Sequence, residues 1–220
     1  MTPRSFLLTQ ELSDYIRASS EPADDVVRDL IAETAALAER GEAKPTFQIA
    51  QEEGAFLQLL TAALGARRAI EIGTFTGFSG LCIARGLPAD GALVSLDVSE
   101  DWTAIARRYW ERAGVADRIE LRLGPALDTL RALPAEPAFD LAFLDADRPH
   151  YADYVEELHP RLAANGVLLV DNTLRLGGVV HPADDDERTV ADLNAQLAKD
   201  PRWETVLLPI SDGLTMLRKR

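Results

Sequence analysis

Over the first 66 residues apolar positions recur at helical spacing, whereas from Arg68 they gather into short β-rich runs separated by helical stretches. The run "SSEPADDVVRDLIAETAALAERG" predicts a helix with Pro22 and acidic residues in its first turn and Gly41 as its stop. A second amphipathic helix, "IAQEEGAFLQLLTAALGA", leads to Gly65. Strand and helix then alternate: "RAIEIG" with "FSGLCIARGL", "ALVSLDV" with "EDWTAIARRYWERAG", and "RIELRLG" with "ALDTLRAL". "FDLAFLDA" with "YADYVEELHPRLA" and "GVLLVDN" with "DDERTVADLNAQLAKD" complete the series.

Parallel neighbours need a crossover, usually a helix, so five such units predict a parallel sheet covered on both faces. The last segment breaks the rhythm: "RWETVLLPISDGLTMLRK" holds two strand-like runs joined through Asp212-Gly213, a hairpin signal. The expected class is therefore α/β, a Rossmann-like doubly wound seven-stranded sheet, mostly parallel, with an antiparallel C-terminal hairpin and N-terminal helices. One domain over residues 1–220 is expected, with 1–66 as its helical part and 67–220 as its core.

Composition narrows the function. A net charge of −13 repels phosphodiester backbones and anionic lipid, which disfavours nucleic acid and membrane surfaces as partners. The apolar stretch in "MTPRSFLLTQELSDYI" is interrupted too early by Glu11 and Asp14 for a secretory signal. No run approaches the roughly 20 apolar residues of a membrane span, so a cytoplasmic protein is expected. Cys82 is the one cysteine, which rules out an intramolecular disulfide and a cysteine-based zinc site, and its apolar helical setting reads as packing. Of 23 basic residues only Lys44, Lys199 and Lys219 are lysines.

In a sheet of this kind ligands bind beyond the carboxyl ends of the strands. The first end, "EIGTFTGFSG", sets Glu71, Gly73 and Thr74 before Gly77, Ser79 and Gly80, where backbone can approach a ligand; a merely tight turn is the other reading. Its spacing is not the G-x-G-x-x-G of nicotinamide enzymes. Asp97 closes the second strand where a carboxylate can accept from both ribose hydroxyls of an adenosine; helix capping is the alternative, though Ser99 is available for that. The Gly124-Pro125 turn and small Ala126 leave room for a flat adenine. The fourth and fifth ends supply Asp145, Asp147, Asp171 and Asn172, a hard-oxygen set suited to Mg²⁺ or a similar cation, or else caps for the helices that follow.

At these residues the chain strongly resembles the cation-dependent, S-adenosylmethionine-dependent O-methyltransferases of the catechol and caffeoyl-CoA type. "AIEIGTFTGFSGL", "GPALDTL", "FDLAFLDADRPHYADY" and "GVLLVDNTLRLGGVV" stand in the family's order and at its spacing. The resemblance implies S-adenosylmethionine contacts at Glu71, Gly73, Thr74, Ser79, Asp97, Ala126, Asp145, Asp147 and Tyr154, the last near the substrate region. It places the cation on Asp145, Asp171 and Asn172, and it implies a homodimer. Asp145, Arg148 and His150 are the candidates for catalytic positions.

Arg148 departs from the family, which usually carries lysine there as the candidate base. Arginine is not deprotonated in proteins. Three readings stay open: the position needs only a cation, Arg148 pairs with an anionic group of the acceptor, or His150 serves as base. His181, in the long loop after Asn172, could touch an acceptor, and His159 is expected at the surface. Trp102, Tyr109 and Trp110 are expected to pack.

The expected activity is methyl transfer to a hydroxyl of a catechol-like or vicinal-oxygen small molecule, an aromatic or natural product of bacterial-type secondary metabolism. Residues 1–50 carry five basic against nine acidic side chains, which argues against a polyanionic coenzyme A thioester. A catalytically silent binding homologue and, third, an NAD oxidoreductase are the alternatives.

Overall fold

The computed structural model describes residues 9–44 and 46–220. The apolar stretch before Thr9, read above against a secretory signal, lies outside the described residues. Three helices come first, α1 (Gln10–Ala18), α2 (Asp25–Glu39) and α3 (Gln51–Ala63). The alternating part follows as β1 (Arg68–Ile72), α4 (Phe78–Gly86), β2 (Ala92–Asp97), α5 (Glu100–Arg112), β3 (Ile119–Leu123) and α6 (Ala126–Ala132). It continues with β4 (Phe139–Leu144), α7 (Tyr151–Arg161), β5 (Leu162–Val170) and α8 (Asp185–Leu197), and closes on β6 (Trp203–Leu208) and β7 (Leu214–Lys219).

The seven strands form one sheet in the order β3-β2-β1-β4-β5-β7-β6. The first five run parallel, and β7 enters against β5 with Leu168 opposite Leu217. The hairpin through Asp212-Gly213 is present, with β6 outermost and antiparallel to β7. Strand order reverses between β1 and β4, which makes the gap beyond their carboxyl ends the natural ligand crevice.

Period-two alternation along the central strands builds two cores. Ala69, Leu141, Phe143, Val167 and Leu169 face one side, where α2 to α5 bring Leu30, Leu57, Leu81, Ile83 and Trp110. Ile70, Ile72, Ala142, Leu144, Leu168 and Val170 face the other, against Leu130, Tyr151, Leu158 and Leu193 from α6 to α8. Each central strand is therefore apolar at nearly every position, as a doubly covered parallel sheet requires.

Side-chain caps set several boundaries. Asp24 accepts from the Val27 amide at 2.9 Å and starts α2, so Pro22 falls before the cap and not in the first turn. The carboxylate supplies an acceptor that proline cannot, and it decides the start. Gly41 ends α2 in the left-handed region (φ 74°), with the Glu42 amide reaching back to Leu37 O. Cys82 is buried, and burial pushes its thiol up to about 12, in keeping with packing. His159 is half-buried, edge-on to Trp203 at 5.0 Å, and not at the surface as expected: α7 turns it toward the C-terminal hairpin. Among the described residues no helix is long and apolar enough to cross a membrane.

Candidate active site

Hydrogen bonds that continue the sheet past its strand ends align the candidate residues. Gly73 N donates to Leu96 O, Gly124 N to Asp97 O, Asp145 N to Ile72 O and Asp171 N to Leu144 O, each at 2.9 Å. The residues at or just past each carboxyl end thus lie in a row, and most of them border a cavity of about 680 Å³. Gly73, Thr74, Ser79, Asp97, Ala126, Asp145, Asp147, Arg148, His150, Tyr154 and Asn172 all line it. Glu71 and Asp171 do not.

Gly73 is required by geometry. Its φ is +96°, and a Cβ built there would sit 1.8 Å from the carbonyl oxygen of Asp145. The turn that follows is tied to the second strand: Thr74 N and Phe75 N donate to Asp97 Oδ2 at 2.9 and 2.8 Å, and Ser99 N donates to Oδ1 at 2.8 Å. Ser99 also caps α5 through Trp102 N, so the capping role falls to Ser99 and leaves Asp97 facing the cavity.

Glu71 lies beneath the floor, fully buried, accepting from Ser79 Oγ at 2.9 Å and Ser95 Oγ at 2.6 Å. Burial pushes its carboxyl up to about 7. Its hold on Ser79 sets a side chain that does reach the cavity.

At the β4 and β5 ends three carboxyls influence one another. Burial and the neighbouring Asp171 hold the Asp145 carboxyl well above the usual range, and burial and Glu53 do the same to Asp171. Glu53, from α3, is fully buried beside Asp171, and burial, with Asp145 adding, pushes it up to about 7. Sequence reasoning missed Glu53. Its signal is an acid on the inward stripe of α3, in line with Leu57 and Thr61.

Asn172 stands in the left-handed region (φ 57°), which asparagine tolerates, and its backbone N donates to Asp171 Oδ1 at 2.6 Å. Its Oδ1 accepts from Arg148 Nη2 at 3.0 Å. Among the described residues no three carboxylate, imidazole or thiolate groups form a metal cage. Two carboxylates and an amide oxygen nonetheless match the hard donors of a divalent cation that keeps open positions, and a cation would relieve the carboxyl repulsion seen here.

Asp147 accepts from Tyr154 Oη at 2.7 Å through Oδ1 and pairs with His150 Nδ1 through Oδ2. That pairing raises the His150 pKa above its ordinary value. Phe47, Phe75 and Trp102 meet edge-to-face at 5.1 to 5.8 Å and form an aromatic wall. Trp102, expected only to pack, lines the cavity, because the Ser99 cap turns the first residues of α5 toward it. Phe47 comes from the segment before α3, whose sequence holds no strand-end signal. His181 is exposed and does not line the cavity.

Comparison with known proteins agrees with this geometry. A family profile described as O-methyltransferase matches residues 17–220. Tricin synthase 1 of Oryza sativa subsp. japonica is 40% identical over 187 residues, 78% of this chain and 74% of its own length. Caffeoyl-CoA O-methyltransferase 1 of Eucalyptus globulus is 38% identical over 179 residues, 76% of this chain and 73% of its own. The solved structure of the O-methyltransferase from Bacillus cereus, in complex with SAH, superposes with a TM-score of 0.84 at 31% identity, covering 96% of this chain and 97% of that one.

Gly73→Ala is expected to lower stability by about 2–4 kcal/mol in urea unfolding, since backbone and not a mobile side chain must give way. Glu71 keeps its proton to about pH 7 folded but loses it near 4.5 unfolded. The folded state therefore binds more protons in that window, and stability falls as pH rises through it. Glu71→Gln is expected to remove this contribution, read from unfolding midpoints at pH 5 and 8.

Proposed function

The chain belongs to the O-methyltransferase family, and from that premise we propose that it moves a methyl group from S-adenosylmethionine to one of two adjacent oxygens on a small catechol-like acceptor, with a divalent cation bound. The observation that carries this reading is the meeting, in one cavity, of Asp97 with its glycine turn and of Asp145 with Asn172. The first pair suits an adenosyl cofactor and the second a hard cation. The phenolic names of the curated relatives support the acceptor class.

Gly73 lets the cofactor approach the backbone of the first turn, and Asp97 offers its remaining lone pairs to the ribose. Tyr154 and His150 hold Asp147 from two sides, so its carboxylate faces the cavity in one orientation. Asp145, Asp171 and Asn172 would hold the cation. When bound, it supplies a positive centre that lowers the pKa of an adjacent hydroxyl and orients two vicinal oxygens. The acceptor oxygen, its hydroxyl proton already lost to solvent, would attack the methyl carbon: the O–CH₃ bond forms as the S–CH₃ bond breaks, and the neutral thioether S-adenosylhomocysteine leaves. Closing the acceptor against the aromatic wall of Phe47, Phe75 and Trp102 excludes water and makes the displacement effectively intramolecular.

Arg148 cannot accept the hydroxyl proton. His150 engages Asp147 through Nδ1, and we assign it to holding that carboxylate in place.

Methyl transfer from labelled S-adenosylmethionine to a catechol panel is expected to require Mg²⁺ and to stop with chelator. Asp171→Asn is expected to lower kcat/KM by about a hundredfold or more while S-adenosylhomocysteine still binds. Undiminished turnover without metal removes the cation from the proposal, and cofactor binding with no turnover on any acceptor favours a silent homologue. His150→Ala is expected to raise KM for the cofactor and leave the pH-rate midpoint in place; a displaced midpoint restores the base role.

A further inference from the structure

Arg148 does not point a free charge into the cavity. Its Nη2 donates to Asn172 Oδ1 at 3.0 Å, its Nη1 lies 3.6 Å from Asp186 Oδ2 in the first turn of α8, and its Nε is buried without a partner. The same Asp186 oxygen accepts from Arg175 Nη2 at 3.0 Å, and Arg175 Nη1 lies 3.7 Å from Asp212 Oδ2 in the C-terminal hairpin. Asn172, Arg148, Asp186, Arg175 and Asp212 thus form one chain of contacts. It runs from the cavity through the start of α8 to the hairpin turn.

The segment that this chain encloses needs holding. Arg175 and Leu176 both lie in the left-handed region, at φ 48° and 52°, which non-glycine residues adopt only when surrounding contacts over-determine it. Leu176 is 92% exposed, so its own packing does not anchor the segment. Hydrogen bonds to the hairpin do: Leu176 N to Asp212 Oδ1, and Leu174 N to Asp212 O at 2.8 Å. Two guanidiniums share Asp186, so removing that carboxylate leaves two cations facing each other with their Nε groups unpaired.

We propose that Arg148 is a positioning residue, an ionic latch that couples the orientation of the Asn172 amide to the order of residues 173–184 through Asp186. The bridging geometry explains an arginine here. A planar fork reaches two partners with two nitrogens at once, whereas a lysine presents one ammonium and must choose. The two terminal nitrogens are thus directed at protein partners, Asn172 and Asp186. The consequence for the cation rests on the function proposed above: the amide oxygen that accepts from Arg148 keeps a second lone pair for it.

The test uses the full chain, with Asp186→Asn, Arg148→Lys, Arg148→Gln and the Arg148→Gln/Asp186→Asn pair. Amide hydrogen exchange over residues 174–184 is followed without metal, and Mn²⁺ is then titrated as the probe. Each single change is expected to speed exchange in that segment at least tenfold and to weaken Mn²⁺ about tenfold, with S-adenosylhomocysteine affinity unchanged as proof of folding. The pair is expected to be no worse than Asp186→Asn alone, because both break one linkage. Wild-type exchange in Asp186→Asn, a silent Arg148→Lys, or additive effects in the pair overturn the latch. If the unaltered protein binds no Mn²⁺, the cation reading fails by itself, and the exchange data still decide the latch.

Discussion

The approach of the β1 turn to the β4 turn governs this site. Gly73 lies so near the carbonyl oxygen of Asp145 that no side chain fits between them, and a hydrogen bond from Asp145 N to Ile72 O closes the contact. Because the strand order reverses at this pair, the crevice opens where β1 and β4 are drawn together. The Asp97 carboxylate then takes the two amides after Gly73 and draws the second strand end into the same frame. A wider first turn would move Asp97 and the glycine turn away from Asp145 and Asn172.

The second constraint is electrostatic. Asp145, Asp171 and Glu53 are brought from two strands and a helix into surroundings where water no longer screens them, and each carboxyl is driven toward its protonated form. A fold held only for stability gains nothing from such a cluster, since well-packed apolar side chains would cost less. Its presence at the strand ends of an O-methyltransferase fits a site that meets a positive charge during its work. Arg148 does not neutralise the cluster alone, because its guanidinium is shared with Asn172 and Asp186.

Much of this was legible in the chain itself. The alternation of β-rich and helical runs gave the sheet and its two cores, since residues at period two on β1, β4 and β5 must be apolar on both faces. Glycines and acids placed just after those runs marked the row of Gly73, Asp97, Asp145 and Asp171. Pro22 misled because a helix start depends on which side chain captures a free amide, and Asp24 does so. Glu53 and Phe47 were missed for another reason: they lie on or before an N-terminal helix, and nothing local says that this helix packs at the strand ends.

The sequence by itself determined the class of fold and the motif positions, because those rest on periodicity and on residue types at fixed offsets, and its motifs carried the resemblance that implied the family. Only the tertiary structure decided what Arg148 does. Its partners Asn172 and Asp186 lie 24 and 38 residues further along the chain, and no spacing rule relates them. They meet because β5 lies beside β4 and α8 packs against the turn at 148–150. A guanidinium becomes a ligand anchor or a latch according to which partners lie within reach of its nitrogens, and folding decides which those are.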